Sequence, residues 1–82
     1  RPFWETHIVV IPKRHISSFL TLESSDDGLV IEMLAVIRRV ADTVVADRGA
    51  ARILTNLGNY QESKHLHFHI YSGDRVRPDN PI

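Results

Sequence analysis

Three histidines occupy alternate positions of one short segment, His65-Leu66-His67-Phe68-His69-Ile70-Tyr71, and three of the chain's five histidines are therefore gathered in five positions. On an extended strand successive side chains point to opposite faces. His65, His67 and His69 then share one face while Leu66, Phe68 and Ile70 turn to the core. Successive imidazoles in such a row have Cα atoms about 6.5–7 Å apart. Three kinds of chemistry fit. A solvated strand face would accept His, although Thr, Lys, Glu or Ser would serve it equally well. A metal site would use neutral imidazoles, which chelate an ion at i, i+2. A structural zinc site would normally add cysteine, of which the chain has none, and a catalytic one a carboxylate, for which Glu62 is the only nearby candidate. The third is nucleophilic attack on phosphorus. An imidazole is unprotonated for much of the time at neutral pH, attacks phosphorus well and leaves again readily. The next imidazole in the row would then hydrogen-bond the phosphate oxygens.

The elements that must position these rings follow from pattern. The β-branched run Ile8-Val9-Val10-Ile11 predicts a strand from Phe3 to Ile11, stopped by Pro12, which cannot donate to a ladder. Pro12-Lys13-Arg14-His15 is its polar exit. Ile16 to Leu22 predicts one short helical turn, capped by Ser17 or Ser18, with Phe19 and Leu20 packing inward. Ser24-Ser25-Asp26-Asp27 is a helix-start cluster suited to the positive end of the helix dipole. The helix runs to about Arg48 and ends at Gly49. Its apolar residues Leu29, Val30, Met33, Leu34, Val36, Ile37, Val40, Val44 and Val45 cover more than the stripe one sheet needs. One side is expected to cover the domain's own sheet and the other a partner subunit. Ala51 to Thr55 reads as a second strand, Asn56 to Lys64 as a polar loop, and His65 to Ser72 as a third strand ended by Gly73. The fold class is α+β: antiparallel strands with one long helix on a face.

With 82 residues the chain has room for one domain, taken as residues 1–73 with an extended tail over 74–82. So short a chain buries only roughly 60% of the surface it exposes unfolded, so help from a partner is expected. Ten basic against ten acidic residues argue against a surface built for nucleic acid or an anionic membrane. No apolar stretch is long enough to span a bilayer. The absence of cysteine excludes a disulfide framework and a thiol nucleophile and fits a cytoplasmic setting. The start at Arg1, with neither Met nor a signal-like segment, reads as an internal piece of a longer protein.

The segment HLHFHIY resembles the signature of the histidine triad superfamily, and THIVVIPKRHI resembles that family's strand ending in Pro-Lys-Arg-His. The order of strand, long helix, short strand, Asn-containing loop and triad strand is similar as well. The resemblance covers roughly residues 3 to 73. It implies a sheet with one long helix and a short helical turn, here lacking the family's N-terminal hairpin. That hairpin supplies most of the nucleobase and ribose pocket, and often a Cys pair that binds zinc with histidines matching His15 and His65. The implied activity is hydrolysis or nucleotidyl transfer at the α-phosphate of nucleoside phosphoramidates or dinucleoside polyphosphates, on a purine nucleotide substrate and without a cofactor. His67 would be the nucleophile and form a nucleotidyl-imidazole, His69 would contact the phosphate oxygens, and His65 would orient His67. His15 would complete the site, with Asn56 near the α-phosphate or ribose, Gln61 on phosphate and Ser63 as substitute for a hydroxyl that the family places where Glu62 stands. A carboxylate at Glu62 would repel phosphate, and the 56–64 loop is short. An alternative is therefore a non-catalytic nucleotide-binding or regulatory module, and a third is a metal-binding protein. Lys13 and Lys64 read as solvated surface residues and His7 as lying on the strand surface or near a partner. A homodimer through the helix over 26–48 is expected.

Overall fold

The computed structural model describes residues 4–75. Strand β1, Trp4–Val10, is followed by a crossover to a single 3₁₀ turn at Phe19–Thr21, a second at Ser24–Asp26, helix α1 at Asp27–Arg48, strand β2 at Arg52–Leu54, a third 3₁₀ turn at Gly58–Tyr60, and strand β3 at Phe68–Arg75. The sheet is antiparallel with order β1-β3-β2, so the strand that carries His69 lies in the middle. The predicted start of β1 at Phe3 lies outside the described residues.

One face of the sheet packs on α1. Ile8 stands opposite Ile70 and Val10 opposite Phe68, and on this face Ile70 is fully buried against Ile37 and Val44, with Val40, Ala41 and Ala51 around them. A second cluster joins Ile16, Met33 and Leu66, with Leu22 and Leu29 against it. The residues α1 turns inward are thus Leu29, Met33, Ile37, Val40, Ala41 and Val44, a single stripe at helical spacing. Leu34 and Val45, expected among the covered positions, lie outside the stripe and are exposed, as is Ile31. The helix ends where expected: Gly49 takes φ +88° and donates its N–H to the Val45 carbonyl at 2.7 Å.

Three expectations need correction. The turn at Phe19–Thr21 is capped by Ser18, whose Oγ accepts from the Leu20 N–H and whose own N–H reaches Thr21 Oγ1. Phe19 and Leu20 stay exposed, because the flanking Ile16 and Leu22 already fill the space over Met33 and Leu66. The third strand begins at Phe68 rather than His65, since Leu66 sends its N–H to the Ile16 carbonyl of the crossover and not into a ladder. Nor does Gly73 end it. Thr6 pairs with Ser72 and Trp4 with Arg75, so two residues, Gly73 and Asp74, face Glu5 alone; Gly73 at φ +86° supplies the bulge, and the strand runs on to Arg75. Asp74 and Arg75 therefore belong to the sheet, while the rest of the expected tail lies outside the described residues.

Two glycines separate backbone strain from propensity. Nothing within 4 Å would meet a Cβ at Gly49 or at Gly28. Gly49→Ala is expected to destabilise by about 1 kcal/mol through the left-handed φ alone. Gly28→Ala, at an ordinary helical φ, is expected to stabilise by about 0.5 kcal/mol. Urea midpoints of the two variants moving in opposite directions would check both.

Candidate active site

Backbone groups at residues 65–67 find partners outside any ladder. His67 Nδ1 lies 2.7 Å from the His65 carbonyl, Thr55 Oγ1 donates to the His67 carbonyl at 2.7 Å, and the Leu66 N–H reaches Ile16 O at 2.6 Å. A carbonyl only accepts, so His67 Nδ1 bears a hydrogen, and in the neutral ring Nε2 carries the free lone pair. His65 Nε2 faces the Pro12 carbonyl at 3.2 Å and, by the same reasoning, is its protonated nitrogen. The His15 ring lies against His65 with centroids 4.9 Å apart, itself exposed at the edge of the site.

His69 follows His67 with ring centroids 4.9 Å apart at 73°. It pairs across the sheet with Val9 on one side and Leu54 on the other. That puts it diagonal to His7, which pairs with Tyr71 and shares the His69 face. The two imidazoles meet, His7 Nε2 to His69 Nδ1 at 2.8 Å. One hydrogen is shared between them, and His69 Nε2 is buried with no partner among the described residues. Where His7 donates, His69 Nε2 holds a hydrogen aimed at nothing in the fold, a donor suited to an anionic oxygen. Burial holds the His69 imidazole below its ordinary pKa, and repulsion from His67 and His7 adds to it; burial does the same to His7. Both are neutral at neutral pH.

Of the residues singled out in the sequence, His15, His65, His67 and His69 come together, and His7 joins them rather than lying apart on the strand surface. Period two puts His7 on the same face of its strand as Val9, but the pairing of Val9 with His69 that brings the two rings together is a matter of register. Thr55 had no such signal. Gln61 is buried, and its amide nitrogen donates to the Ser17 carbonyl at 2.6 Å and the Ser63 carbonyl at 2.8 Å. Both amide hydrogens are thus committed to the fold, leaving only an acceptor oxygen, which an ionised phosphate does not pair with. Asn56 is half-buried beside Thr55, whereas Glu62, Ser63 and Lys13 are exposed. Lys64 reaches the Gln61 carbonyl at 3.5 Å. Among the described residues no three His, Asp or Glu side chains converge as a metal site would require, and no helix is long and apolar enough to cross a membrane.

A family model described as "Scavenger mRNA decapping enzyme C-term binding" matches residues 1–78. An uncharacterized HIT-like protein of Helicobacter pylori is 36% identical over 76 residues, covering 90% of this chain and 70% of that protein. An uncharacterized HIT-like protein of Chlamydia muridarum is 31% identical, over 82% of this chain and 54% of its own length. Among solved structures, a HIT family hydrolase from Legionella pneumophila superposes with TM-score 0.78 at 26% identity, covering 93% of this chain and 70% of that one. A histidine triad protein from Clostridium difficile gives TM-score 0.75 at 30% identity, covering 98% and 71%.

The half-buried imidazole pair makes stability depend on pH. His7 and His69 bind a proton less readily folded than at the ordinary value of 6.5 in the unfolded chain. The unfolded state therefore holds more protons below that value, and the native state loses stability as pH falls through 6.5. Urea midpoints between pH 8 and 5 are expected to decline, and His7→Gln is expected to flatten the decline. Asp26, held low by the Glu23 N–H and by Arg14, contributes its own loss only at more acid pH, below its ordinary 3.8.

Proposed function

The chain belongs to the histidine triad superfamily, and from that premise we propose that it hydrolyses or transfers nucleoside monophosphate groups through a covalent nucleotidyl intermediate on His67. The observation that carries the reading is the single hydrogen bond from His67 Nδ1 to the His65 carbonyl. It leaves Nε2 as a fixed lone pair beside the unpartnered Nε2 of His69. The substrate class is nucleoside phosphoramidates and dinucleoside polyphosphates attacked at the α-phosphate. In the first half-reaction a bond forms between His67 Nε2 and phosphorus while the bond to the leaving amine or phosphate breaks. A leaving phosphate keeps that electron pair as an anion. A leaving amine takes a proton from solvent water onto its nitrogen, and the hydroxide left is neutralised by the proton that the second half-reaction releases. In the second, water attacks phosphorus, the nitrogen–phosphorus bond breaks back to the imidazole, and the water's proton is released. His69 would stabilise the charge on the phosphoryl oxygens through its Nε2–H, and His15, at the exposed edge, would complete the binding side with Asn56. Neutral imidazoles suit this work because a charged row would have to lose a proton before it could attack.

Incubation with an adenosine phosphoramidate or a diadenosine polyphosphate, followed by intact-mass and peptide mass spectrometry, is expected to find a nucleotidyl adduct on His67. His67→Ala is expected to lose that adduct and at least about 10⁴-fold in kcat, and His69→Ala about 10²-fold. Full turnover by His67→Ala would overturn the mechanism.

The exposed Ile31, Leu34 and Val45 of α1, with Ile53 of β2, support a homodimer through the helix. Sedimentation at micromolar concentration is expected to give a dimer, and Ile31→Glu with Leu34→Glu a monomer.

A further inference from the structure

Of the rings in the site, His15 belongs to the crossover after β1 and His65 is hydrogen-bonded to it. Residues 12–17, between β1 and the first 3₁₀ turn, carry His15 and three carbonyls that receive hydrogen bonds from the triad side: Pro12 from His65 Nε2, Ile16 from the Leu66 N–H, and Ser17 from Gln61 Nε2. These three laces join the crossover to residues 61–66. On its other side, the polar link to the start of α1 among the described residues is one ion pair. Arg14 Nη2 donates to Asp26 Oδ1 at 2.5 Å. The two ends of that pair differ sharply. Asp26 is buried, its side chain 8% exposed, and its Oδ2 also accepts the Glu23 N–H at 2.9 Å, whereas the Arg14 side chain is 58% exposed. The Asp26 carboxylate is doubly committed and stays ionised across the working range. The Arg14 end stands in water, where such a pair adds little to folding. A buried carboxylate is a costly way to gain stability, but it is a good way to hold one loop in one place.

We propose that Arg14 is a positioning residue. Anchored on Asp26, it holds the Pro12 carbonyl against His65 Nε2, and His65, so held, presents the carbonyl that keeps the His67 hydrogen on Nδ1. The chain of contacts is continuous: Asp26 to Arg14, two residues along the backbone to Pro12, across to His65, and from the His65 carbonyl to His67. Arg14 needs no contact with substrate in this arrangement. The link uses one nitrogen and one oxygen, so a lysine ammonium should be able to replace it.

The consequence for kcat rests on His67 being the nucleophile, but the effect on the rings does not. Arg14→Gln, Arg14→Lys and Asp26→Asn should be compared with the unaltered protein by long-range ¹H–¹⁵N imidazole spectra at pH 7.5 and by steady-state turnover. In Arg14→Gln, His65 is expected to lose its single Nε2–H signature and His67 its single Nδ1–H signature. kcat is expected to fall about tenfold, with KM changed less than twofold and the melting temperature within a few degrees. Arg14→Lys should restore both spectra and most of kcat. Asp26→Asn should show the same ring changes, together with lower stability because it also weakens the turn before α1. Wild-type ring signatures in Arg14→Gln would overturn the proposal. So would a salt-dependent rise in KM at unchanged kcat, which marks a cation touching substrate. If the unaltered protein turns over no phosphoramidate or polyphosphate, the catalytic reading fails while the spectra still decide the role of Arg14.

Discussion

The site depends on where the central strand begins. Had the ladder started at His65, the carbonyls and N–H groups of residues 65–67 would be committed to neighbouring strands. Because β3 starts at Phe68, the His65 carbonyl is available to the His67 ring, the Leu66 N–H to Ile16, and the His67 carbonyl to Thr55. The alternation of inward Leu66, Phe68 and Ile70 persists through this irregular stretch, since Leu66 and Ile70 belong to the two core clusters that flank it. Apolar packing thus holds the segment, and the polar groups freed from the ladder orient the rings.

The electrostatics follow from the same arrangement. Five imidazoles come together, and among the described residues none of them hydrogen-bonds a carboxylate. Burial between Val9 and Leu54 pushes His69 further toward neutrality. The pair His7 and His69 thus offers N–H and lone-pair groups rather than net positive charge, in keeping with a chain of balanced charge. The one strongly held ion pair nearby, Arg14 with Asp26, lies behind the crossover, at the start of the helix.

Features that depend on local pattern were legible in the sequence. The period-two histidines, the β-branched run ended by Pro12, the helix terminated at Gly49 and the α+β class can all be read from neighbours within a few positions. What depends on register was not. His7 meets His69 only because Thr6 to Val10 pair with Ser72 to Phe68 in one particular alignment. Gln61 looks like a phosphate ligand by position, but the approach of Ser17 from 44 residues away turns it into a clamp. Phe19 and Leu20 appear destined for the core until Ile16 and Leu22 are seen to fill the place first. In each case the missing information was a long-range contact.

The placement of β3 between two partners, set beside the looser fastening of residues 12–17, implies a hierarchy of local opening. Amides of the middle strand around His69 to Tyr71 are covered from both sides, while the crossover is held by the buried Ile16, three hydrogen bonds to residues 61–66 and one ion pair. Opening of the exposed stretch Lys13 to His15 uncovers no core side chain and leaves the sheet intact. In that opened form His65 loses its acceptor and His15 its place, yet the backbone would remain almost wholly native. Loss of the ring arrangement and loss of the fold are thus separate events in this chain.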